Sequence, residues 1–562
     1  MTRELAPAVS PATGMQRTVR RLVVFTLLFV LVVIAASGAA NLLGRLLGAG
    51  SELVAGDVTG LAQGFAFLLV GGPLALALWW SVWRRLGEPS ERSSLAWGLY
   101  ASAMYVVSMI VAATSLLSVL SDLVAGRTVG WGTGIAGALV WGGVWIWHRW
   151  MWLHPAKGPV RLAEVPTVGG TVYGLVIGTG GAVTGLALLF DTAAESLAGT
   201  TAVGKPWWVL AVQALLWAAA GVLLWWWHWF RQAGLRLHSG LADVALVVTG
   251  ILGACVLAVA GWGTLLFVLL RLAFDRSEPA GELLGPLGFA LAAGTVGTCV
   301  WIYHRGIAAG RTAATREAAR LVVCGVALAA AATGVGVVVN SLLAITGSAL
   351  AGTSPRTLLL GGISALAVGG PLWWRSWRPG KHGRPDGPEG LQEPAGRKVY
   401  LIIVFGVSAV VALVTLLVIG YRVFELLLDG TTPGSLVDRI RAPFGLLAAT
   451  GLAAGYHYSV WRHERPAGPS QAPGGNRGIS RILLVAAGDP EPWLQAAKEL
   501  TGARVTVWRR SPTGTGLEAD AVPEQPEPAA ARLERALDGV SAARILVIAG
   551  PEGRLEVIGL EG

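Results

Sequence analysis

"WWSVWRR", residues Trp79 to Arg85, ends an apolar stretch with three tryptophans and two arginines. Such a cluster is either a binding site or the point where a helix leaves a membrane. W-S-V-W-R at 80–84 has five counterparts: W-I-W-H-R at 145–149, W-H-W-F-R at 227–231, W-I-Y-H-R at 301–305, W-R-S-W-R at 374–378 and Y-S-V-W-R at 458–462. The shared order is an aromatic residue, two residues, an aromatic or His, then Arg. The arginines, Arg84, Arg149, Arg231, Arg305, Arg378 and Arg462, follow one another at 65, 82, 74, 73 and 84 residues. A recurring interval of this size signals a duplicated supersecondary unit. "VGGPL" at 70–74 returns at 368–372, which relates the first unit to the fifth.

Between these endings lie apolar runs of roughly 20 to 28 residues, long enough to cross the hydrocarbon core of a bilayer. The chain is 54% hydrophobic and 14% charged, against about 25% charged in a soluble domain. The runs predict twelve membrane helices near 19–43, 61–83, 95–120, 133–152, 170–190, 207–229, 241–270, 285–303, 318–345, 357–377, 398–424 and 443–461. They pair into six helical hairpins, each closed by one aromatic-arginine ending. Two spans return the chain to the same side, so the repeats are parallel rather than inverted. The first run follows Arg17, Arg20 and Arg21 and ends in "ASGAA", like a signal peptide. Its recurrence in the later units makes it a retained first membrane helix.

Charge sets the orientation. The N-terminus and the connections after each second helix, up to Arg481, hold 26 Lys and Arg, whereas the opposite face holds nine together with 11 acidic residues. The positive-inside rule places both termini in the cytoplasm. The net charge of +10 does not point to nucleic acid, because the basic residues alternate with apolar runs and form no single patch. Cys255, Cys299 and Cys324 lie inside apolar segments, with the spacing of neither a disulfide framework nor a zinc site.

Composition changes after Arg465. Residues 1–16 are read as a disordered N-terminus, and 17–465 as the transmembrane domain, with repeats at 17–90, 91–160, 161–236, 237–312, 313–390 and 391–465. A Pro/Gly linker follows at 466–479, then a small cytoplasmic α/β domain at 480–562. In that domain "RILLVAAG" (481–488), "ARVTVWRR" (503–510), "RILVIAG" (544–550) and "RLEVIGL" (554–560) read as strands. "DPEPWLQAAKELTG" (489–502) reads as a helix that Asp489 caps and Gly502 ends, and "AAARLERALDGV" (529–540) as another. "VAAGDPEP" fits neither the dinucleotide fingerprint nor the P-loop. It is read as a strand-to-helix turn. A crevice would fall near Gly488 and Gly550.

The endings supply most of the candidate site residues. Tryptophan and tyrosine gather where an apolar ring and a polar N–H or O–H both find partners, and arginine snorkels to headgroups. Trp80, Trp83 and Arg84 share one helix face, as do Trp374, Trp377 and Arg378. Trp145, His148, Arg149, Trp227, Arg231, Trp301, His304, Arg305, Tyr458, Trp461 and Arg462 complete an interface-anchoring or lipid-contacting belt. Anionic headgroups held between hairpins are its functional alternative. His148 and His304 align one residue before the arginine, whereas His228 and His457 fall out of register. Haem can be held by paired membrane histidines, but these sit at helix ends. No metal and no cofactor is expected. Asn41, Gln213 and Asn340 are the polar candidates inside the membrane, read as interhelical hydrogen bonders. No catalytic residues are assigned.

The hairpin with "RRLVVFTLLFVLVVIAASGAANLLGRLL" as first helix and "GGPLALALWWSVWRR" as second resembles the bacterial membrane domain-of-unknown-function family 5671. Several tandem copies would cover roughly residues 17–465. The resemblance implies an integral membrane protein of unknown activity and carries over no catalytic residue.

The expected architecture is therefore an all-α polytopic membrane protein with a C-terminal α/β domain. A non-enzymatic scaffold or sensor fits it first. A transporter or channel for a neutral or lipidic solute fits second, and a lipid-modifying membrane enzyme third. The expected partners are membrane lipids, with a cytoplasmic protein or small ligand at the C-terminal domain and no nucleic acid.

Overall fold

The computed structural model describes residues 11–48, 58–127, 130–198, 206–275, 278–346, 354–377, 395–428, 435–464, 479, 481–486, 489–509, 528–538, 540, 542, 544–550 and 555–560. The chain divides into two compact units, Met1–Tyr458 and Ser459–Gly562.

The first unit is built from twelve long helices among the described residues, the last of which runs past Tyr458 into the second unit. They are α1 (Pro11–Leu47), α2 (Val58–Arg85), α3 (Leu95–Val124), α4 (Trp131–Trp152), α5 (Val165–Ala198), α6 (Trp207–Arg231), α7 (Gly240–Phe274), α8 (Leu287–Ala309), α9 (Ala313–Ala344), α10 (Pro355–Ser376), α11 (Ala395–Leu428) and α12 (Leu436–Glu464). The helix α1 begins at Pro11, inside the stretch expected to lack structure. Short π-helical segments interrupt α2 at Phe67–Gly71, α6 at Trp227–Arg231 and α7 at Leu246–Gly253.

Sequence explains several starts. Ser94, Ser239 and Thr312 precede α3, α7 and α9, and each side-chain oxygen accepts from the backbone N–H three residues on. Such a cap satisfies one of the amides that a helix N-terminus leaves without a partner. Gly130, with φ of 91°, leads into α4, a conformation that costs glycine little.

Among the described residues, ten of these helices are long and apolar enough to cross a membrane. The other two are α4 and α12, of 22 and 29 residues. α4 is rich in Trp and Gly in place of aliphatic residues, and α12 opens with Asp438, Arg439 and Arg441. Twelve spans were expected. Length alone admits all twelve, and apolarity admits ten.

Consecutive helices pack in pairs from α1 with α2 to α9 with α10. Small residues make the approach close, as in membrane bundles where the solvent is as apolar as the side chains. On α5 and α6, Gly178 and Gly221 meet backbone to backbone. A Cβ at Gly297 of α8 would stand 2.6 Å from the Ala258 nitrogen of α7. The outer surfaces are aliphatic. Along α11, Ile402, Ile403, Val407, Val410, Leu413, Leu416 and Leu417 are all more than half exposed. An aqueous surface does not tolerate so continuous an apolar face, whereas a lipid surface does.

The second unit holds β1 (Arg481–Ala486), α13 (Glu491–Thr501), β2 (Arg504–Arg509), α14 (Ala529–Ala536), β3 (Arg544–Ala549) and β4 (Leu555–Gly559). The strand order is β2-β1-β3-β4. The first three strands are parallel and β4 is antiparallel to β3. Alternate residues separate the two faces. Ile482, Leu484, Ile545 and Val547 are buried with Ala496, Ala497 and Leu533 of the two helices. Leu483, Val485, Leu546 and Ile548 lie on the opposite face, half-buried, and Trp508 on that face is exposed. Arg481, Arg504 and Arg544 pair across the first register position of the three parallel strands. Asp489 accepts from the Glu491 amide at 3.1 Å, and Gly502 ends α13 in the left-handed conformation. Gly488 and the linker 466–478 lie outside the described residues.

Candidate functional site

The aromatic-arginine endings divide by exposure. Trp80 is exposed at the end of α2 with the Arg84 guanidinium 3.6 Å above its ring, as the four-residue spacing on one helix allows. Arg149 of α4 stands within 6 Å of two rings, Trp145 at 5.9 Å and Trp227 of α6 at 5.6 Å. Arg231 lies over Trp226 and Arg305 over Trp301. Trp227, Trp374 and Tyr458 are exposed, as are Arg231, Arg305 and Arg462. Trp461 is half-buried, and Arg378 lies outside the described residues.

Other members of the endings face inward. Trp83 packs on Trp79 and Trp150, and the Lys157 ammonium stands 4.0 Å from its ring. Trp377 is buried, and its indole N–H donates to the Tyr456 hydroxyl at 2.8 Å. The endings are therefore not a uniform belt. One side of each turns outward and the other closes the end of the bundle.

The histidines depart furthest from the expected positions. His148, His228, His304 and His457 are all buried, none more than 3% exposed. Each directs Nδ1 at the carbonyl four residues earlier: Val144 at 2.7 Å, and Leu224, Val300 and Ala453 at 2.8 Å. A carbonyl only accepts, so Nδ1 carries the proton and the neutral ring presents Nε2 as an acceptor. His148 Nε2 accepts from the Tyr100 hydroxyl at 3.1 Å and His228 Nε2 from Tyr105 at 3.2 Å. Both tyrosines belong to α3, so one helix is clasped from α4 and from α6. The His457 Nε2 is buried without a hydrogen-bond partner among the described residues.

His228 and His457 are thus the structural counterparts of His148 and His304. Alignment by arginine leaves His228 and His457 out of register with them. The four histidines stand 80, 76 and 153 residues apart, the last interval spanning two units, and each follows an aromatic residue: Trp147, Trp227, Tyr303 and Tyr456. That aromatic-His pair was the available signal. Nothing in the sequence named Tyr100 and Tyr105 as partners, because the contact to His228 joins residues 123 apart.

Glycine completes these sites. A Cβ at Gly250 of α7 would stand 2.6 Å from the His304 ring, and one at Gly170 of α5 would collide with the His228 ring.

The three polar intramembrane candidates do not converge. Asn41 accepts from Arg45 on its own helix at 2.8 Å. Gln213 of α6 donates to the Ser121 carbonyl of α3 at 2.6 Å. Asn340 of α9 packs on Gly445 of α12, and its side-chain oxygen is buried without a hydrogen-bond partner among the described residues. A buried charged cluster lies elsewhere. Arg311 donates to the Leu235 carbonyl at 2.9 Å and to that of Leu237, and it pairs with Asp243 at 3.6 Å. Thr315 donates to the same carboxylate at 2.7 Å. This cluster ties the loop before α7 to the start of α9.

No match was found among curated proteins or among solved structures. The family model of a domain of unknown function (DUF5671) matches residues 21–146 and 317–452. The two matched stretches begin within α1 and within α9, and each contains one of the "VGGPL" segments. One family unit thus covers four helices, a pair of pairs, instead of a single hairpin. The DUF5671 model thus matches the chain twice, across α1–α4 and across α9–α12, with α5–α8 between the two matches.

Proposed function

We propose that this is a non-enzymatic, multi-pass protein of the bacterial cytoplasmic membrane whose helical bundle presents the 480–562 domain as a sensor or scaffold. All twelve long helices span in this reading, as six parallel hairpins with both termini cytoplasmic. Lengths of 22 and 29 residues for α4 and α12 support it, since about 20 residues suffice to cross. The excess of Lys and Arg at the ends after each second helix supports the orientation.

The observation that carries the functional choice is the separation of Asn41, Gln213 and Asn340. A solute path needs polar groups facing one shared cavity. Here Asn41 and Gln213 are bonded to different neighbours, and Asn340 packs on Gly445 of α12, apart from both.

Two measurements test the proposal. A fluorescent protein fused after Gly562 should fold and emit, and alkaline phosphatase at that site should be inactive. The purified chain in liposomes should leave the permeability to glycerol and to a short-chain lipid analogue unchanged. Solute flux above that of empty liposomes would favour the transporter instead.

A further inference from the structure

We propose that a cavity at the ending face of the bundle, between α8, α9 and α10, binds a phosphate-bearing anion. The cavity measures about 470 Å³, within the usual range for small-molecule sites. Four arginines line it: Arg305 from the end of α8, Arg316 and Arg320 from the first turns of α9, and Arg375 from the end of α10. Ile251, Val323 and Leu372 supply an apolar wall. Among the described residues no carboxylate lines it. The nearby Glu317 is paired with Arg320 at 2.7 Å, which leaves an excess of positive charge around one concavity. An anion in the cavity offsets the mutual repulsion of these like charges. Guanidinium pairs grip phosphate oxygens in bidentate fashion.

The other DUF5671 copy supports the assignment independently. A cavity of about 200 Å³ stands at the corresponding place, lined by Arg20 and Arg21 of α1 and Arg85 of α2. There Glu91 also lines the space and holds Arg21 at 2.8 Å. In each place one arginine is held by a carboxylate, Arg21 by Glu91 and Arg320 by Glu317, and the larger cavity adds Arg305, Arg316 and Arg375. The arginines above an apolar wall suit an amphiphile, so the phosphate is that of a lipid headgroup or of a soluble ester. This inference goes beyond the functional proposal and stands on the cavity alone.

The full chain in detergent should be titrated with phosphatidylglycerol, phosphatidylcholine and inorganic phosphate while its thermal unfolding is followed. Wild type and the variants Arg375→Gln and Arg316→Gln/Arg375→Gln should be compared, with Arg236→Gln, an exposed arginine outside the cavity, as the control for a single lost charge. Stabilisation by phosphatidylglycerol over phosphatidylcholine, weakened roughly tenfold or more in the cavity variants and unchanged in the control, identifies a headgroup. Stabilisation by inorganic phosphate with the same dependence on the variants identifies a soluble anion. The single variant and an Arg316→Lys/Arg375→Lys pair, judged by size-exclusion profile, separate loss of binding from loss of folding. Equal response of wild type and cavity variants, or no response to either anion, overturns the proposal.

Discussion

The Tyr105 hydroxyl stands 3.2 Å from Nε2 of His228, although 123 residues separate them in the chain. The bond joins α3, in the first DUF5671 copy, to α6, outside both copies. It is therefore a seam between a matched and an unmatched part of the bundle. The Gln232 side-chain amide lies 3.3 Å from the same hydroxyl, so a small polar network fills this seam.

Tyr105→Phe removes the donor and leaves a buried acceptor unpaired, a loss of about 1–3 kcal/mol. The expected outcome is a lower thermal midpoint in detergent. A double-mutant cycle with His228→Ala should show coupling between the two sites. Additive effects would show that the bond contributes nothing of its own.

Gly250→Ala places a Cβ 2.6 Å from the His304 ring. Overpacking of this kind costs about 1–3 kcal/mol. Gly250→Ala should therefore destabilise the wild-type chain and be better tolerated with His304→Ala, since the smaller side chain makes room. Thermal unfolding of the four proteins checks this.

Arg311→Ala strips the Asp243 carboxylate of its cation and two carbonyls of their donor. Breaking a buried pair on one side costs about 3–5 kcal/mol. The chain should lose its monodisperse size-exclusion peak or unfold at markedly lower temperature. Arg311→Lys should recover only part of the loss, because a single ammonium does not span all three acceptors.

Trp80 and Trp97 make a contrasting pair. Trp80 is exposed, whereas Trp97 is fully buried among Phe25, Trp79 and Tyr100 and donates to the Lys157 carbonyl at 3.0 Å. Trp97→Ala should cost about 3–5 kcal/mol, and Trp80→Ala much less in detergent. A Trp80 effect that appears only in liposomes would show that the outward ring acts through lipid.

Sequence alone was enough for the helical class, the C-terminal four-stranded sheet and the relation of 70–74 to 368–372. The reason is that these depend on local composition. A long apolar run can satisfy its backbone only as a helix when lipid surrounds it, and alternation with Gly and Asp signals marks strands and turns wherever they occur. The contact of Trp80 with Arg84 was legible for the same reason, since the two lie four residues apart. Only the tertiary structure decided that His228 and His457 belong with His148 and His304, that Tyr100 and Tyr105 meet two of them, and that four arginines from three helices surround one cavity. Those relations are set by which helix faces which. In a bundle where nearly every surface residue is apolar, that choice rests on a few small residues such as Gly178 and Gly221 letting two backbones touch. Such contacts leave no periodic mark in the chain. Burial picks out the histidines at 148, 228, 304 and 457 where the arginine spacing does not, since Arg231 lies three residues beyond His228 and Arg462 five beyond His457.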